Sequence, residues 1–326
     1  MPDFPKEARV VIIGGGAVGA SSLYHLAKAG WTDCVLLEKN ELTAGSTWHA
    51  AGNVPTFSTS WSIMNIQRYS TELYARLGEE VDYPMNYHQT GSLRLAHSEE
   101  RLQEFKRAAS MGKYQGMDIK ILTPKEAKDL YPFLEIHDLA GALYDPNDGD
   151  IDPAQLTQAL AKGARDLGAK ILRFTPATGV TQKNDKTWTV HTEKGDINCQ
   201  YVVNAAGYYA QQVGEWFKPY GGRTVPMMVM SHQYLLSEEI PEIENYVKKS
   251  GKKLPLLRDV DISYYLRQEK NGFNLGPYEP NCKAHWATED DPMPDDFSFQ
   301  LWNDDLDRIE DIVSDAMERV PLLGTS

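Results

Sequence analysis

The chain has 326 residues, of which 41% are hydrophobic and 24% are charged. This composition is typical of globular proteins and excludes collagen-like and disordered chains. Its 33 Lys and Arg residues against 46 Asp and Glu residues give a net charge of -13, which disfavours binding to nucleic acid or to an anionic membrane. The three cysteines are scattered without a CxxC pair, so neither a zinc ribbon nor a disulfide framework is predicted.

The amino-terminal residues 1–8 are polar, and the first apolar run is interrupted at once by three glycines, unlike the core of a signal peptide. No apolar run approaches the roughly 20 residues that span a bilayer. We therefore expect a soluble protein of a reducing, cytoplasmic compartment, with two domains at this chain length.

The first elements predict a βαβ unit. Residues 10–13 form an apolar run, residues 17–29 have helical spacing, and residues 34–37 form a second apolar run. A strand, a glycine turn, a helix and a strand within about 30 residues form the crossover that a parallel sheet requires.

The glycine turn of this unit has the pattern Gly14-x-Gly16-x-x-Gly19. In a dinucleotide site these glycines allow the tight turn, the approach of a pyrophosphate and the close packing of the helix, whose amino terminus attracts phosphate. Glu38 ends the second strand, where its carboxylate can accept hydrogen bonds from ribose hydroxyls. An acid at this position favours FAD or NAD over NADP.

The later elements predict a second kind of domain. In chain order we expect helix 63–77, strand 91–96, helices 99–111 and 124–130, a helix from 153 to about 167, strands 170–174, 187–192, 201–203, 227–235, 263–267 and 272–276, and an amphipathic helix near 304–320. The predicted fold is α/β. A Rossmann-like dinucleotide domain (residues 1–85 and 150–222) is interleaved with an α+β substrate domain (residues 86–149 and 223–326) built on an antiparallel sheet.

Residues 45–52, Gly-Ser-Thr-Trp-His-Ala-Ala-Gly, follow the second strand and let backbone amides approach a ligand that extends beyond the pyrophosphate, as FAD does. This segment resembles the dimethylglycine and sarcosine dehydrogenases of the D-amino-acid-oxidase-like flavoproteins, and the resemblance extends over the whole chain. It implies a glutathione-reductase-type FAD domain and FAD bonded covalently to His49, whose neutral imidazole can attack the flavin methyl group. The alternative is a histidine that only packs near the flavin.

The resemblance also implies which other residues contact FAD. Residues 203–207 correspond to the second FAD segment, and Val180 to the position whose backbone meets the adenine. The full set of expected contacts is Gly14, Gly16, Gly19, Glu38, Lys39, Gly45, Ser46, Thr47, His49, Val180, Ala206 and Gly207.

Oxidising an N-methylamine requires a neutral amine, which a histidine and a tyrosine in an apolar pocket can maintain. The resemblance places His232 and Tyr264 at the active site. Strand alternation turns Tyr264 and Tyr265 to opposite faces, so one of them faces the pocket, and we predict Tyr264. Arg267, or else Arg258, is a candidate for holding the substrate carboxylate. The alternatives are a core histidine, a half-buried strand tyrosine and structural arginines.

The resemblance implies the oxidative demethylation of dimethylglycine or sarcosine, with hydride passing from the N-methyl carbon to FAD. An electron-transfer flavoprotein or O2 would accept the electrons, and a folate-binding domain or subunit would take the one-carbon unit. Relatives continue beyond the equivalent of residues 320–323 with a further FAD segment. An incomplete flavin-binding fragment or subunit, an O2-using amine oxidase and, third, an NAD dehydrogenase therefore stay open. No metal site is predicted.

Overall fold

A computed structural model of the protein describes residues 4–288 and 290–325. Its strands are β1 (Glu7–Ile13), β2 (Cys34–Leu37), β3 (Asn53–Val54), β4 (Tyr87–His88), β5 (Ser92–Ala96), β6 (Lys120–Leu122), β7 (Gly141–Asp145), β8 (Gly149–Ile151), β9 (Lys170–Leu172), β10 (Ala177–Gln182), β11 (Trp188–Thr192), β12 (Ile197–Asn204), β13 (Val229–Ser231), β14 (Leu235–Leu236), β15 (Leu256–Asp259), β16 (Tyr264–Glu269), β17 (Gly272–Pro277) and β18 (Lys283–His285).

The α-helices are α1 (Ala17–Lys28), α2 (Ser46–His49), α3 (Trp61–Glu80), α4 (Glu99–Tyr114), α5 (Pro124–Leu130), α6 (Pro153–Asp166), α7 (Ala210–Glu215), α8 (Pro241–Ser250) and α9 (Glu310–Arg319). Short 3-10 turns cover Gly207–Tyr209, Lys218–Tyr220, Leu306–Arg308 and Pro321–Thr325. In the part of the chain that the structure describes, no helix is long and apolar enough to cross a membrane.

The first sheet has the strand order β10-β11-β12-β1-β2-β9. β1 pairs in parallel with β2 and β12, and β2 pairs in parallel with β9. Residues 10–13 and 34–37 are all buried, as expected for parallel strands that are covered on both faces. The predicted βαβ unit is confirmed, with α1 as its crossover.

The second sheet has the strand order β14-β17-β16-β15-β5-β7-β6. Its pairs are antiparallel except for β15 with β5, which run parallel. Apolar side chains from α5, α8 and α9, among them Ala127, Ile243 and Ala316, pack with Leu266 in the core on one face of this sheet. The predicted α/β fold with a largely antiparallel second sheet is therefore observed.

A small sheet, β3-β8-β4, connects the segment that follows α2 with the turn before α6. The strands of the first sheet lie within residues 1–85 and 150–222, and those of the second lie within 86–149 and 223–326. The domain boundaries themselves stay a prediction.

Two predicted elements differ from the observed ones. The strand expected over 227–235 is divided into β13 and β14, which pair with β18 and β17 in separate sheets. The helix expected from 304 starts at Glu310 because the preceding chain has other partners: Asp305 N–H donates to Gln233 Oε1 at 2.7 Å, and the Gln233 amide donates back to Asp305 O. Strand β15 and helix α8 were not predicted.

Arg319 connects the end of α9 with the loop after α5. Its guanidinium donates two hydrogen bonds to the Asp138 carboxylate, at 2.7 and 2.8 Å, and one to Glu135 O at 2.6 Å. The Arg319 side chain is only 7% exposed, whereas that of Asp138 is 45% exposed. The hydrogen bonds from Arg319 lower the pKa of Asp138 to about 2.

We expect Arg319→Met to destabilise the protein in a pH-dependent way. Because the pKa of Asp138 is lowered in the folded protein, this pair stabilises fully above the unfolded pKa of about 3.9 and loses its effect as pH falls towards about 2. The free energy of unfolding, measured in urea, should be lower for the variant than for the wild type at about pH 6, and this difference should become smaller in acid. A difference that is constant across this range would contradict the assignment.

Candidate functional site

The turn between β1 and α1 leaves no room for side chains. Gly14 has φ of +117°, and a Cβ atom there would lie 2.2 Å from Ala205 O. A Cβ atom on Gly19 would lie 1.9 Å from Gly14 O. The fingerprint turn, the start of α1 and the end of β12 are therefore in direct contact, which is the close approach that the glycine pattern predicts.

Glu38 is fixed beside this turn. Its carboxylate accepts hydrogen bonds from the backbone N–H groups of Gly15 and Asn40, both at 2.7 Å. Burial raises the pKa of Glu38, although the two backbone hydrogen bonds oppose this shift. The structure thus holds an acceptor-rich group at the carboxyl end of β2, where an acid that binds ribose is expected.

Helix α2 begins next to the same turn. Thr47 Oγ1 accepts from the Ala17 N–H at 2.9 Å, and a Cβ atom on Gly16 would lie 3.0 Å from that oxygen. Gly45 precedes α2, and a Cβ atom there would be 3.4 Å from the ring of Tyr208. The predicted FAD-contacting residues of the fingerprint and of the 45–49 segment are therefore brought together.

The remaining predicted contacts lie farther along the first sheet. Val180 is buried in β10 and belongs to the same apolar cluster as Val11 and Ala206. Gly207, with φ of +59°, starts the 3-10 turn after β12. Ser46 is exposed at the start of α2. Their contacts with FAD stay a prediction.

Residues 294–300, which we call the cover segment, lie against α2 and the end of β12. Backbone carbonyls of this segment accept hydrogen bonds from Tyr208 OH at 2.8 Å, from Tyr209 OH at 2.8 Å and from the Lys39 ammonium. The Lys39 ammonium also lies 3.5 Å from the centre of the Tyr209 ring. These contacts could not be predicted from the sequence, because any residue can supply a backbone carbonyl.

Both ring nitrogens of His49 face carbonyl oxygens. Nδ1 lies 3.0 Å from Gly45 O, and Nε2 lies 2.7 Å from Gln300 O in the cover segment. The ring stacks on Phe297 with centroids 5.9 Å apart and an interplanar angle of 7°. A neutral imidazole has one N–H and can donate to one of these carbonyls only. A flavin attached through either nitrogen would replace one of the two contacts.

The second sheet presents polar side chains towards this region. Arg258 pairs with Tyr265 in the register of β15 and β16, so both lie on one face, and strand alternation adds Arg267 to that face. Arg267 Nη1 would be 3.3 Å from a Cβ atom on Gly52, just beyond α2. This polar face therefore points towards the segment that carries His49.

His232 lies at the edge of the polar face. Its Nδ1 is 2.9 Å from Glu279 Oε2, and its ring lies edge-on to Tyr278 with centroids 5.7 Å apart. Tyr278 in turn lies 5.8 Å from the ring of Tyr265. The structure thus groups His232 with Tyr265 and Tyr278. Tyr278 and Glu279 were not predicted as site residues.

Tyr264 is not part of this group. It is 2% exposed and packs with Tyr131 and Leu266 in the core on the opposite face of the sheet. Its hydroxyl is buried without a hydrogen-bond partner among the described residues. The alternation predicted for the tyrosine pair is observed, but it turns Tyr265 and not Tyr264 towards His232. The neighbouring residues in the sequence indicate this orientation, because Tyr264 shares a strand face with the apolar Leu266, whereas Tyr265 shares one with Arg267.

The two candidate arginines differ in their partners. Arg267 forms an ion pair with Glu269. The Nε atoms of Arg258 and Arg267 are both buried without a hydrogen-bond partner in the described part of the chain, but Arg258 forms no ion pair there. Burial lowers the pKa of Arg258, and the nearby Arg94 guanidinium adds to this effect. Of the two arginines, Arg258 is therefore the better candidate to bind an anionic group.

Across residues 4–288 and 290–325, no group of three or more His, Cys, Asp or Glu side chains could hold a metal ion.

Comparison with known proteins places these features in a family. The model of the FAD-dependent oxidoreductases matches residues 9–325. The chain is 43% identical over 326 residues to dimethylglycine dehydrogenase, mitochondrial, of Mus musculus, covering 99% of this chain and 36% of that protein. It is 36% identical over 325 residues to sarcosine dehydrogenase, mitochondrial, of Mus musculus, covering 98% of this chain and 34% of that protein.

Two further similarities are informative. The pyruvate dehydrogenase phosphatase regulatory subunit, mitochondrial, of Mus musculus is 35% identical over 323 residues, covering 98% of this chain and 35% of that protein. The crystal structure of L-proline dehydrogenase from P. horikoshii is 26% identical, with a TM-score of 0.81 over 99% of this chain and 79% of that one. The chain spans about a third of the length of these Mus musculus relatives. It belongs to the family of FAD-dependent oxidoreductases.

Proposed function

We propose that the chain oxidises an N-methylated glycine, dimethylglycine or sarcosine, with FAD as the cofactor. The observation that carries this proposal is the 43% identity to a dimethylglycine dehydrogenase across 326 residues. The activity of the whole protein is part of the proposal, because the chain covers 36% of that relative.

The described residues fit FAD at its dinucleotide end. A Cβ atom on Gly14 would lie 2.2 Å from Ala205 O, so only glycine allows the turn to pack this closely against the end of β12. The start of α1 offers backbone N–H groups to the pyrophosphate, and the half-buried carboxylate of Glu38 can accept from ribose. His49 would hold the flavin end covalently. Bound FAD supplies a hydride acceptor.

The polar face of the second sheet binds and orients the substrate. Arg258 pairs with the substrate carboxylate, because its buried Nε has no hydrogen-bond partner among the described residues. Tyr265 and Tyr278 provide walls that exclude water around the N-methyl group. His232, with its Nδ1 occupied by Glu279, offers Nε2 to the amine and keeps the amine nitrogen unprotonated.

A second candidate is a flavin-binding subunit without amine turnover. The observation that favours it is the 35% identity to a protein named as a regulatory subunit. The contact of His49 with Gln300 agrees with it, because the histidine is engaged by the protein itself. An O2-using oxidase is a third candidate. An electron-transfer flavoprotein as acceptor, a folate-binding partner and a cytoplasmic location stay predictions.

Formaldehyde release tests the function directly. We would load the purified chain with FAD, add dimethylglycine with an artificial electron acceptor, and measure formaldehyde and sarcosine. Equal amounts of both support the proposal, and peroxide formed without the acceptor identifies the oxidase. A tightly bound flavin that gives neither product favours the subunit.

His49→Ala should abolish covalent attachment of the flavin. In the wild type we expect the yellow colour to remain with acid-precipitated protein, whereas in the variant it should pass into the supernatant. His137→Ala, which changes an exposed histidine, is the matched control and should behave like the wild type. Yellow precipitate from His49→Ala would exclude this residue as the attachment point.

Substitutions separate the two neighbouring tyrosines. Tyr264→Phe removes a buried hydroxyl that has no hydrogen-bond partner among the described residues, so the melting temperature should not fall, and turnover should stay within about twofold because a satisfied contact is not lost. Tyr265→Ala removes a wall of the proposed pocket and should lower kcat/KM at least about tenfold, which corresponds to about 1.4 kcal/mol. The reverse pattern would restore the active-site role predicted for Tyr264.

Arg258→Met should weaken the binding of substrates that carry a carboxylate. We expect KM for dimethylglycine to rise about 10- to 100-fold, since hydrogen bonds to charged groups contribute about 1.5–3 kcal/mol. N,N-dimethylethylamine, which lacks the carboxylate, should be turned over equally by variant and wild type. Arg107→Met, at an exposed position of α4, is the control. An equal loss for both substrates would reject Arg258 as the carboxylate anchor.

A further inference from the structure

His232 rests on a buried carboxylate. The Glu279 side chain is 1% exposed, that of His232 is 38% exposed, and Nδ1 lies 2.9 Å from Oε2. The imidazole therefore lies between the protein interior and the polar face, and its Nδ1 is held by the buried Glu279 carboxylate. Among the described residues, Nε2 takes part in no hydrogen bond or ion pair.

The second oxygen of Glu279 faces a cation. Arg308 Nε lies 3.3 Å from Oε1, and the Arg308 side chain is 10% exposed. This is an ion pair without hydrogen-bond geometry, since both atoms lack a hydrogen-bond partner in the part of the chain described. The turn that carries Arg308 is fixed through Asp305, whose N–H donates to Gln233 Oε1 at 2.7 Å. Gln233 directly follows His232 in the sequence, so the segment that carries the His232 imidazole also holds the turn that carries Arg308.

This arrangement selects one tautomer of the neutral His232 imidazole. An ionised carboxylate accepts hydrogen bonds and donates none, so Nδ1 must carry the hydrogen that points at Glu279. Nε2 of the neutral ring is then an acceptor. An acceptor is what an amine substrate needs if its proton is to be removed before the N-methyl group is oxidised.

We propose that Glu279 is a positioning residue that fixes His232 in the Nδ1–H form and leaves Nε2 as the acceptor for the substrate amine. Arg308 supplies the positive charge that keeps Glu279 in place. The inference deepens the proposed function and rests on it, because that function puts His232 beside the substrate. A purely structural ion pair between Glu279 and Arg308 would leave the imidazole free to adopt either form.

Glutamine at position 279 separates these two roles. A carboxylate has an oxygen for His232 and another for Arg308, whereas an amide has one oxygen only. In Glu279→Gln the Arg308 cation attracts that oxygen, and the amide NH2 group then faces Nδ1. His232 should change to the Nε2–H form. In Glu279→Gln with Arg308→Met the oxygen is released, and the Nδ1–H form should return at least in part.

The experiment is nitrogen NMR of the flavin-loaded full chain with 15N-labelled histidine. The His232 signals are assigned by their loss in His232→Gln, and their shifts report which nitrogen carries hydrogen. We expect Nδ1–H in the wild type and in Glu244→Gln, a control on the exposed side of α8. We expect Nε2–H in Glu279→Gln, with dimethylglycine turnover lowered about 10- to 100-fold, as is typical when the carboxylate behind a functional histidine is lost.

The wild-type spectrum decides the matter even if a variant fails to fold. A wild-type His232 in the Nε2–H form would overturn the inference, as would Glu279→Gln with an unchanged form and full turnover. If the wild type shows Nδ1–H but turns over no N-methylated glycine, the proposed function fails while the positioning of His232 by Glu279 stands.

Discussion

The site depends on one backbone crossing, where the segment after α2 meets strand β8. Gly52 has φ of +74°, and a Cβ atom on it would lie 2.0 Å from Ile151 O. Ile151 N–H donates to Gly52 O at 2.9 Å. Only glycine meets this demand at low cost. The crossing holds the end of the His49 segment against Arg267 on the second sheet, so a cofactor bound by the first sheet faces side chains of the other.

This region is rich in positive charge, although the chain as a whole is acidic. The protein carries a net charge of -13, yet Arg94, Arg258 and Arg267 follow one another along the polar face of the second sheet. Arg267 has Glu269 as a partner, and Arg94 lies 3.6 Å from the buried Asp148. The unmet charge is therefore concentrated at Arg258. A small zwitterion with one carboxylate suits such a site better than a long polyanion.

The cover segment sets a condition on flavin binding. It engages His49, Tyr208 and Lys39 through its backbone carbonyls. Backbone hydrogen bonds of this kind contribute about 1 kcal/mol each, so a tightly bound cofactor can replace them. The proposed attachment of FAD at His49 would replace the contact of one ring nitrogen, either with Gly45 O or with Gln300 O.

Local patterns in the sequence were sufficient for the βαβ unit of the first sheet and its glycine turn, because period and spacing within residues 7–38 determine both. The choice between Tyr264 and Tyr265 needed more. Alternation separates the two faces, and the neighbours Leu266 and Arg267 indicate which of them is apolar. The contact of Arg267 with the Gly52 segment then shows which face lies towards the His49 segment. Glu279 lies 47 residues from His232, and no local pattern joins residues at that distance. Contacts that depend on tertiary packing were therefore beyond the sequence.

We propose that the two sheets share one ligand site, with FAD on one and an N-methylated glycine on the other. This arrangement can be tested by mixing flavin-loaded protein with dimethylglycine in the absence of oxygen. We expect the flavin absorbance to bleach in a single substrate-dependent phase, and deuterium in the N-methyl groups to slow this phase. A flavin that stays oxidised with saturating dimethylglycine and sarcosine, yet is bleached by dithionite, would contradict it.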